Sequence, residues 1–216
     1  MATSSRKFDE LNNLQSKSHK HIIPIHQYFE EMDLELYEIE RRIQLAELLK
    51  EEFIIIFNLI TSSDITDRDE IYDMIHVRYI DCLEECGLTE EEFVFITAYV
   101  NDIVDKLTDA TVKHQNDEYY TSKDRATNIA ENEANTIYNG VQYEEMKSAG
   151  YTHKIWVTMQ DRHVRDTHMQ AQGQKVEIDK PFVVGDSEMM FPRDYSLGAS
   201  GEEISGCRCT VEYTKQ

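Results

Sequence analysis

The sequence predicts an α+β protein, an elongated helical N-terminal region followed by a small antiparallel-sheet α/β module. Three observations in its 216 residues point there. Breakers are unevenly placed: residues 1–149 hold only Gly87, Gly140 and Pro24, and residues 150–216 hold the other six glycines and both remaining prolines. Charge divides at the same place, with 14 basic and 32 acidic residues before Gly150 and 8 basic and 10 acidic from it onward. The apolar period also changes there, from the three-and-four steps of helices to the alternation of strands. A composition boundary therefore falls near Gly150.

The helical part begins with a run from Phe29 to Ile60. Phe29, Met32, Leu36, Ile39, Ile43, Ala46, Lys50, Phe53, Phe57 and Ile60 form an a/d seam, which predicts one long helix able to self-associate through residues 29–60. Glu30, Glu31, Glu38, Glu40, Arg41, Arg42 and Glu47 fall on its solvated faces. Thr61-Ser62-Ser63-Asp64 ends that helix and offers caps for the next. Ile71, Ile75, Tyr79, Cys82 and Cys86 line one face until Gly87. Thr89 and Glu92 fit a capping box before Phe93, Ile96, Tyr99 or Val100, Ile103 and Leu107. A fourth helix is expected over 122–149, with Ala126, Ile129, Ala134, Ile137 and Val141 inward and Gly150 as its stop.

Beyond Gly150, strands are expected at 154–158, 175–178, 181–185 and 209–213, and a short helix from Val164 to Ala171 stopped at Gly173. Phe191 to Gly206, with Pro192 and three glycines, reads as irregular.

Composition excludes several function classes. A hydrophobic content of 40% supports a core, and a net charge of −20 repels phosphate, so direct DNA binding is not expected. Phe53 to Phe57 is far too short an apolar run to span a membrane, and the first residues lack the apolar stretch of a signal peptide. Four cysteines make no disulfide framework, so a reducing compartment is expected.

Cys82 and Cys86 continue an apolar stripe and read as core. Cys207-Arg208-Cys209 differs, because residues two apart on a strand share a face. With His168 and either Asp161 or His163 the pair would make a Cys₂His-type zinc site. Burial of two free thiols beside a strand end explains it equally well, and an oxidised pair is a third option. Asp161, Arg165 and His168 could alternatively form a nuclease-like hydrolytic cluster, with histidine as base and arginine on phosphate. Against it, Asp161 could cap the helix and Arg165 pair with an acid, and no basic or aromatic patch accompanies them.

Gly150, Trp156, Asp161, Arg165, His168, Gly173, Pro181-Phe182, Pro192 and Cys207-Arg208-Cys209 stand in an order that resembles the Mu F-like minor head protein domain. Arg125-Ala126, Ile129-Ala130, Glu133 and Tyr138-Asn139 on the preceding helix strengthen the likeness, which covers roughly residues 122–213. The resemblance implies two regions, a helical docking region at 1–121 and a Mu F-like domain at 122–216. It further implies structural weight on Trp156, Gly173, Pro181, Phe182, Pro192 and Arg208, and a functional cluster of Asp161, Arg165, His168 and Glu133. The protein it implies is a non-enzymatic minor head protein of the virion, made in the host cytoplasm. It would bind portal, capsid or scaffold proteins and support head assembly and DNA packaging or ejection. Relatives are likened to barnase-type folds, and some carry a C-terminal toxin. This chain ends at Gln216, where no such segment is expected. No cofactor is expected other than the structural zinc already considered.

Overall fold

The computed structural model describes residues 24–32, 34–88 and 94–215. The fold is α+β. Helices α1 (Ile25–Glu30), α2 (Leu36–Thr61), α3 (Arg68–Glu85), α4 (Val94–Lys113) and α5 (Lys123–Ser148) come first, with a short 3₁₀ turn at Glu118–Thr121. Strand β1 (His153–Val157), helix α6 (Asp166–Ala171), strands β2 (Lys175–Glu177), β3 (Phe182–Val184) and β4 (Ser187–Met189), helix α7 (Gly201–Ile204) and strand β5 (Thr210–Thr214) follow. Among the described residues, 24–29, 40–88 and 94–134 form one compact unit, and 30–32, 34–39 and 135–215 a second. The division falls inside α5, between Ala134 and Asn135, rather than at the 121/122 boundary expected from sequence.

The helical unit corrects the seam. Residues 29–60 are not one helix: α1 stops at Glu30, and α2 starts afresh because the Glu35 N–H donates to the Glu38 carboxylate at 3.2 Å, half of a capping box. The buried face of α2 is Arg42, Leu45, Ala46, Leu49, Phe53, Ile56, Phe57 and Ile60. Ala46, Phe53, Phe57 and Ile60 were expected there. Ile39, Ile43 and Lys50 are only half-buried, and Leu36 is 68% exposed. A seven-residue stripe drifts around a straight helix, whereas this helix buries a wider face at the 3.6 period of a globular bundle. Arg42, expected in solvent, is buried.

Helix α3 is capped by Asp67, whose carboxylate accepts from Asp69 and Glu70 N–H at 3.0 and 3.2 Å, and not by the 61–64 segment. Its core residues Ile71, Ile75, Tyr79 and Cys82 are as expected, whereas Cys86 is half-buried at the C-cap. The Thr89/Glu92 box and Phe93 lie outside the described residues. Ile96, Val100, Ile103 and Leu107 of α4 are buried.

Arg125 at the start of α5 is, with Arg42, one of two fully buried arginines of this unit. Its guanidinium donates to Thr111 Oγ1 at 2.8 Å and to Tyr120 C=O at 2.6 Å, between the rings of Phe57 and Tyr120. Burial lowers its pKa to about 10, so it stays charged at neutral pH and cation–π contacts compensate part of its lost hydration.

In the second unit β1 is the centre of an antiparallel sheet of order β2-β1-β5, and β3 and β4 form a separate hairpin. Strand β4 and helix α7 lie in segments where no element was expected. Trp156, paired across the sheet with Val211, packs edge-on against Phe182 at 5.2 Å between ring centres. Ala171, Val184, Met189, Ala199, Ile204, Cys207 and Cys209 complete that core.

Candidate metal centre

The segment from Met190 to Cys209 contains only one turn of helix, so its backbone groups need partners from elsewhere. The second half of α5 supplies them. Asn135 and Asn139, one helical turn apart, donate to the carbonyls of Cys207 and Pro192, each at 3.1 Å. Thr136 Oγ1 accepts from Arg193 Nε at 3.0 Å. Asn135 and Asn139 lie on the side of the helix away from Ala126, Ala134, Ile137 and Val141, so the apolar pattern carries no signal for them.

Three chain segments then meet in the core. Helix α6 carries His168 inward beside Ala171. Cys207 and Cys209 sit in the extended segment just before β5 rather than inside the strand. Helix α7 brings Glu203. His168 Nδ1 lies 3.3 Å from Cys209 Sγ and 3.6 Å from Cys207 Sγ. All three residues are buried, and among the described residues they form a group whose ligand atoms lie within 4.8 Å of one another. On the far side of the ring, Nε2 is 2.9 Å from Glu203 Oε2, at ion-pair distance but outside hydrogen-bonding geometry, and that oxygen accepts from Thr167 Oγ1 at 2.8 Å. Gly185 closes over this carboxylate: a Cβ there would stand 2.7 Å from Glu203 Oε1, at a φ of +59° that favours glycine anyway.

The electrostatics follow from crowding. Burial pushes the Cys207 thiol up, but hydrogen bonds from Cys209 and His168, with the imidazole's charge, outweigh it and bring Cys207 well below the ordinary thiol range. Cys209 moves the opposite way, raised by its hydrogen bond to Cys207 and by burial. Burial lowers His168, yet the Cys207 contact more than offsets it and the net shift is upward. All three shifts have one origin, the close approach of three titratable groups in a buried pocket.

The remaining sequence candidates take other roles. Asp161 does not reach this group: its carboxylate accepts from Arg208 Nη2 at 2.6 Å and from His163 N–H at 2.8 Å. It caps that turn and not α6, whose N-cap is Arg165. His163 is exposed. Arg165 donates to the Ser205 carbonyl and not to an acid. Arg208 faces away from the sulfurs and pairs with Asp161 and Glu31, as a strand-like alternation requires. Glu133 belongs to the helical unit, where it accepts from the hydroxyls of Tyr79 at 2.9 Å and Tyr99 at 2.6 Å. The nuclease-like cluster is thus not assembled, and His168 is turned into the core. Glu203 is the functional residue sequence reasoning missed, since a lone glutamate in an irregular stretch carries no pattern. Cys82 is buried, and burial raises its thiol to about 12, in keeping with a core role.

The second unit is a small antiparallel module closed by a Cys-x-Cys segment under an inward histidine. A family model described as "Phage Mu protein F like protein" matches residues 100–212, and the chain belongs to that family. The match begins some twenty residues earlier than the resemblance read from sequence, and takes in much of α4. The chain is also similar to the NAD(+)–arginine ADP-ribosyltransferase EFV of Enterococcus faecalis (strain ATCC 700802 / V583), 32% identical over 100 residues. That stretch covers 44% of this chain and 20% of the relative, so the chain spans about a fifth of the length of the enzyme it matches. No solved structure matches.

Proposed function

We propose that this protein is a phage minor head protein, a structural rather than catalytic component of the virion that binds the portal vertex and supports head morphogenesis and DNA delivery. The observation that carries the proposal is the family match over residues 100–212, which takes in the whole Cys/His core and the helix that anchors it. Charge gives the docking mode. The first 149 residues carry a net charge of −18, which suits a basic protein surface and opposes contact with packaged DNA. No helix among the described residues is long and apolar enough to cross a membrane.

The test is binding of the full-length chain to the purified portal protein of the same phage, followed at rising salt concentration. Expected is a complex whose association rate falls as salt screens the acidic helices. An association rate independent of salt would remove the charge-steered docking mode, and no complex at any salt would remove the portal as partner.

A further inference from the structure

Two features of the second unit exceed what packing alone requires. The first is the arrangement of donors around His168. A tetrahedral zinc ion holds sulfur at about 2.3 Å and imidazole nitrogen at about 2.0 Å, which sets each sulfur about 3.5 Å from the nitrogen. The two sulfurs stand 3.3 and 3.6 Å from His168 Nδ1. Both lie on the same ring nitrogen, so the imidazole presents one lone pair to a point between two thiols. The second feature is the far side of that ring. The Glu203 carboxylate lies 2.9 Å from Nε2, at ion-pair distance though outside hydrogen-bonding geometry, and its negative charge favours the proton on Nε2, which leaves Nδ1 as the ligand atom. A carboxylate behind a ligating histidine is the usual outer support of a zinc site. Glu203 is itself held by Thr167 and roofed by Gly185.

One buried backbone donor also reaches a sulfur. The Cys209 N–H lies 3.4 Å from Cys207 Sγ. An N–H group at a sulfur stabilises the thiolate, the form in which cysteine ligates metal.

We propose that His168 Nδ1, Cys207 Sγ and Cys209 Sγ bind one zinc ion, with Glu203 as the carboxylate that orients the histidine. The site is a Cys₂His set. Neither Asp161, engaged with Arg208, nor the exposed His163 completes it, so the fourth position belongs to water or another small ligand. The ion joins α6, the end of the irregular segment and the start of β5, adding to the Arg165–Ser205 and Thr167–Glu203 hydrogen bonds that already link α6 to the irregular segment. Its role is structural: the three ligands are buried and come from separate segments that the ion holds together.

The experiment uses full-length protein purified reduced, without chelator and without a metal-affinity tag. Metal content is measured by plasma mass spectrometry, and protein stripped by chelator is titrated with zinc against a chromophoric competitor and, separately, with cobalt. Expected is one zinc per chain, a thiolate-to-cobalt charge-transfer band with tetrahedral ligand-field intensity, and loss of both in Cys207→Ser/Cys209→Ser. Cys82→Ser/Cys86→Ser is expected to bind like the parent. Glu203→Gln, which keeps all three ligands, is expected to weaken zinc roughly 10- to 100-fold. Stripped parent protein that takes up no zinc, or a Cys207→Ser/Cys209→Ser variant that binds it as tightly as the parent, would overturn the proposal. The cobalt spectrum of the parent decides the ligand set even if the double variant does not fold: a spectrum without thiolate character would equally overturn it.

Discussion

Replacing Lys154 by methionine should flatten the alkaline rise in stability of the second unit. Lys154 is fully buried on β1, its ammonium donating to the Met190 carbonyl at 2.6 Å and lying over Tyr143 and Phe182 at 4.8 and 5.0 Å from the ring centres. Burial lowers its pKa from 10.5 to about 8, with Asp194 and Asp179 opposing the shift and Lys147 adding to it. A lysine whose folded-state pKa lies below its unfolded value carries a folding penalty that is complete below about pH 8 and relieved as pH rises toward 10.5. At about 1.4 kcal/mol per unit, the full penalty is about 3 kcal/mol, of which about 2 to 3 is relieved between pH 7 and pH 10. Lys154→Met removes the titrating group and keeps most of the volume. The assay is urea unfolding at pH 7, 8, 9 and 10, followed by the fluorescence of Trp156, the chain's single tryptophan and the centre of this core. Burial raises Tyr213, which places its titration above this window. The parent should gain about 2 to 3 kcal/mol relative to the variant from pH 7 to pH 10. Equal pH slopes for the two proteins would refute the reasoning.

Leu45→Asp should unfold or severely destabilise the helical unit, by roughly 3 kcal/mol or more, while Ile39→Asp and Ile43→Asp lose far less, because only Leu45 is on the fully buried face of α2. Thermal melts by circular dichroism separate these outcomes, and equal losses at all three positions would restore the seven-residue seam. Asn135→Ala with Asn139→Ala should cost roughly 2 to 4 kcal/mol, by leaving the Cys207 and Pro192 carbonyls without these donors. Hydrogen exchange should then quicken over residues 190–209 before the helical unit is affected, and unchanged protection there would contradict the anchoring role of α5.

Most of the architecture was legible because each signal was local. Helix α5 could be read from Ala126, Ile129, Ala134, Ile137 and Val141 with Gly150 behind them, and β1 and β5 from short β-branched and aromatic runs. The long α2 seam misled because two overlapping stripes fit the same residues, and the choice between them depends on which partners the helix packs against. The break at 31–35 was hidden too: a Glu reaching back to a Glu N–H is a cap built from residues that equally suit a helix interior. In the candidate site, two thiols and one histidine could be paired from residue type and spacing. Asp161 could not be excluded without knowing that Arg208 holds it, and Glu203 could not be found without knowing that α7 folds over α6. Those contacts join positions some 35 to 47 residues apart in sequence, and no local pattern reports them.

On the proposed function, this acidic, helix-led chain is built into phage heads. Quantitative mass spectrometry of heads purified from infected or induced cells tests it most directly, with portal peptides as the internal standard. The account predicts the protein at a fixed low ratio to the portal subunit, retained through washes that remove cytoplasmic proteins. Abundance in the lysate together with absence from assembled heads and their precursors would contradict it.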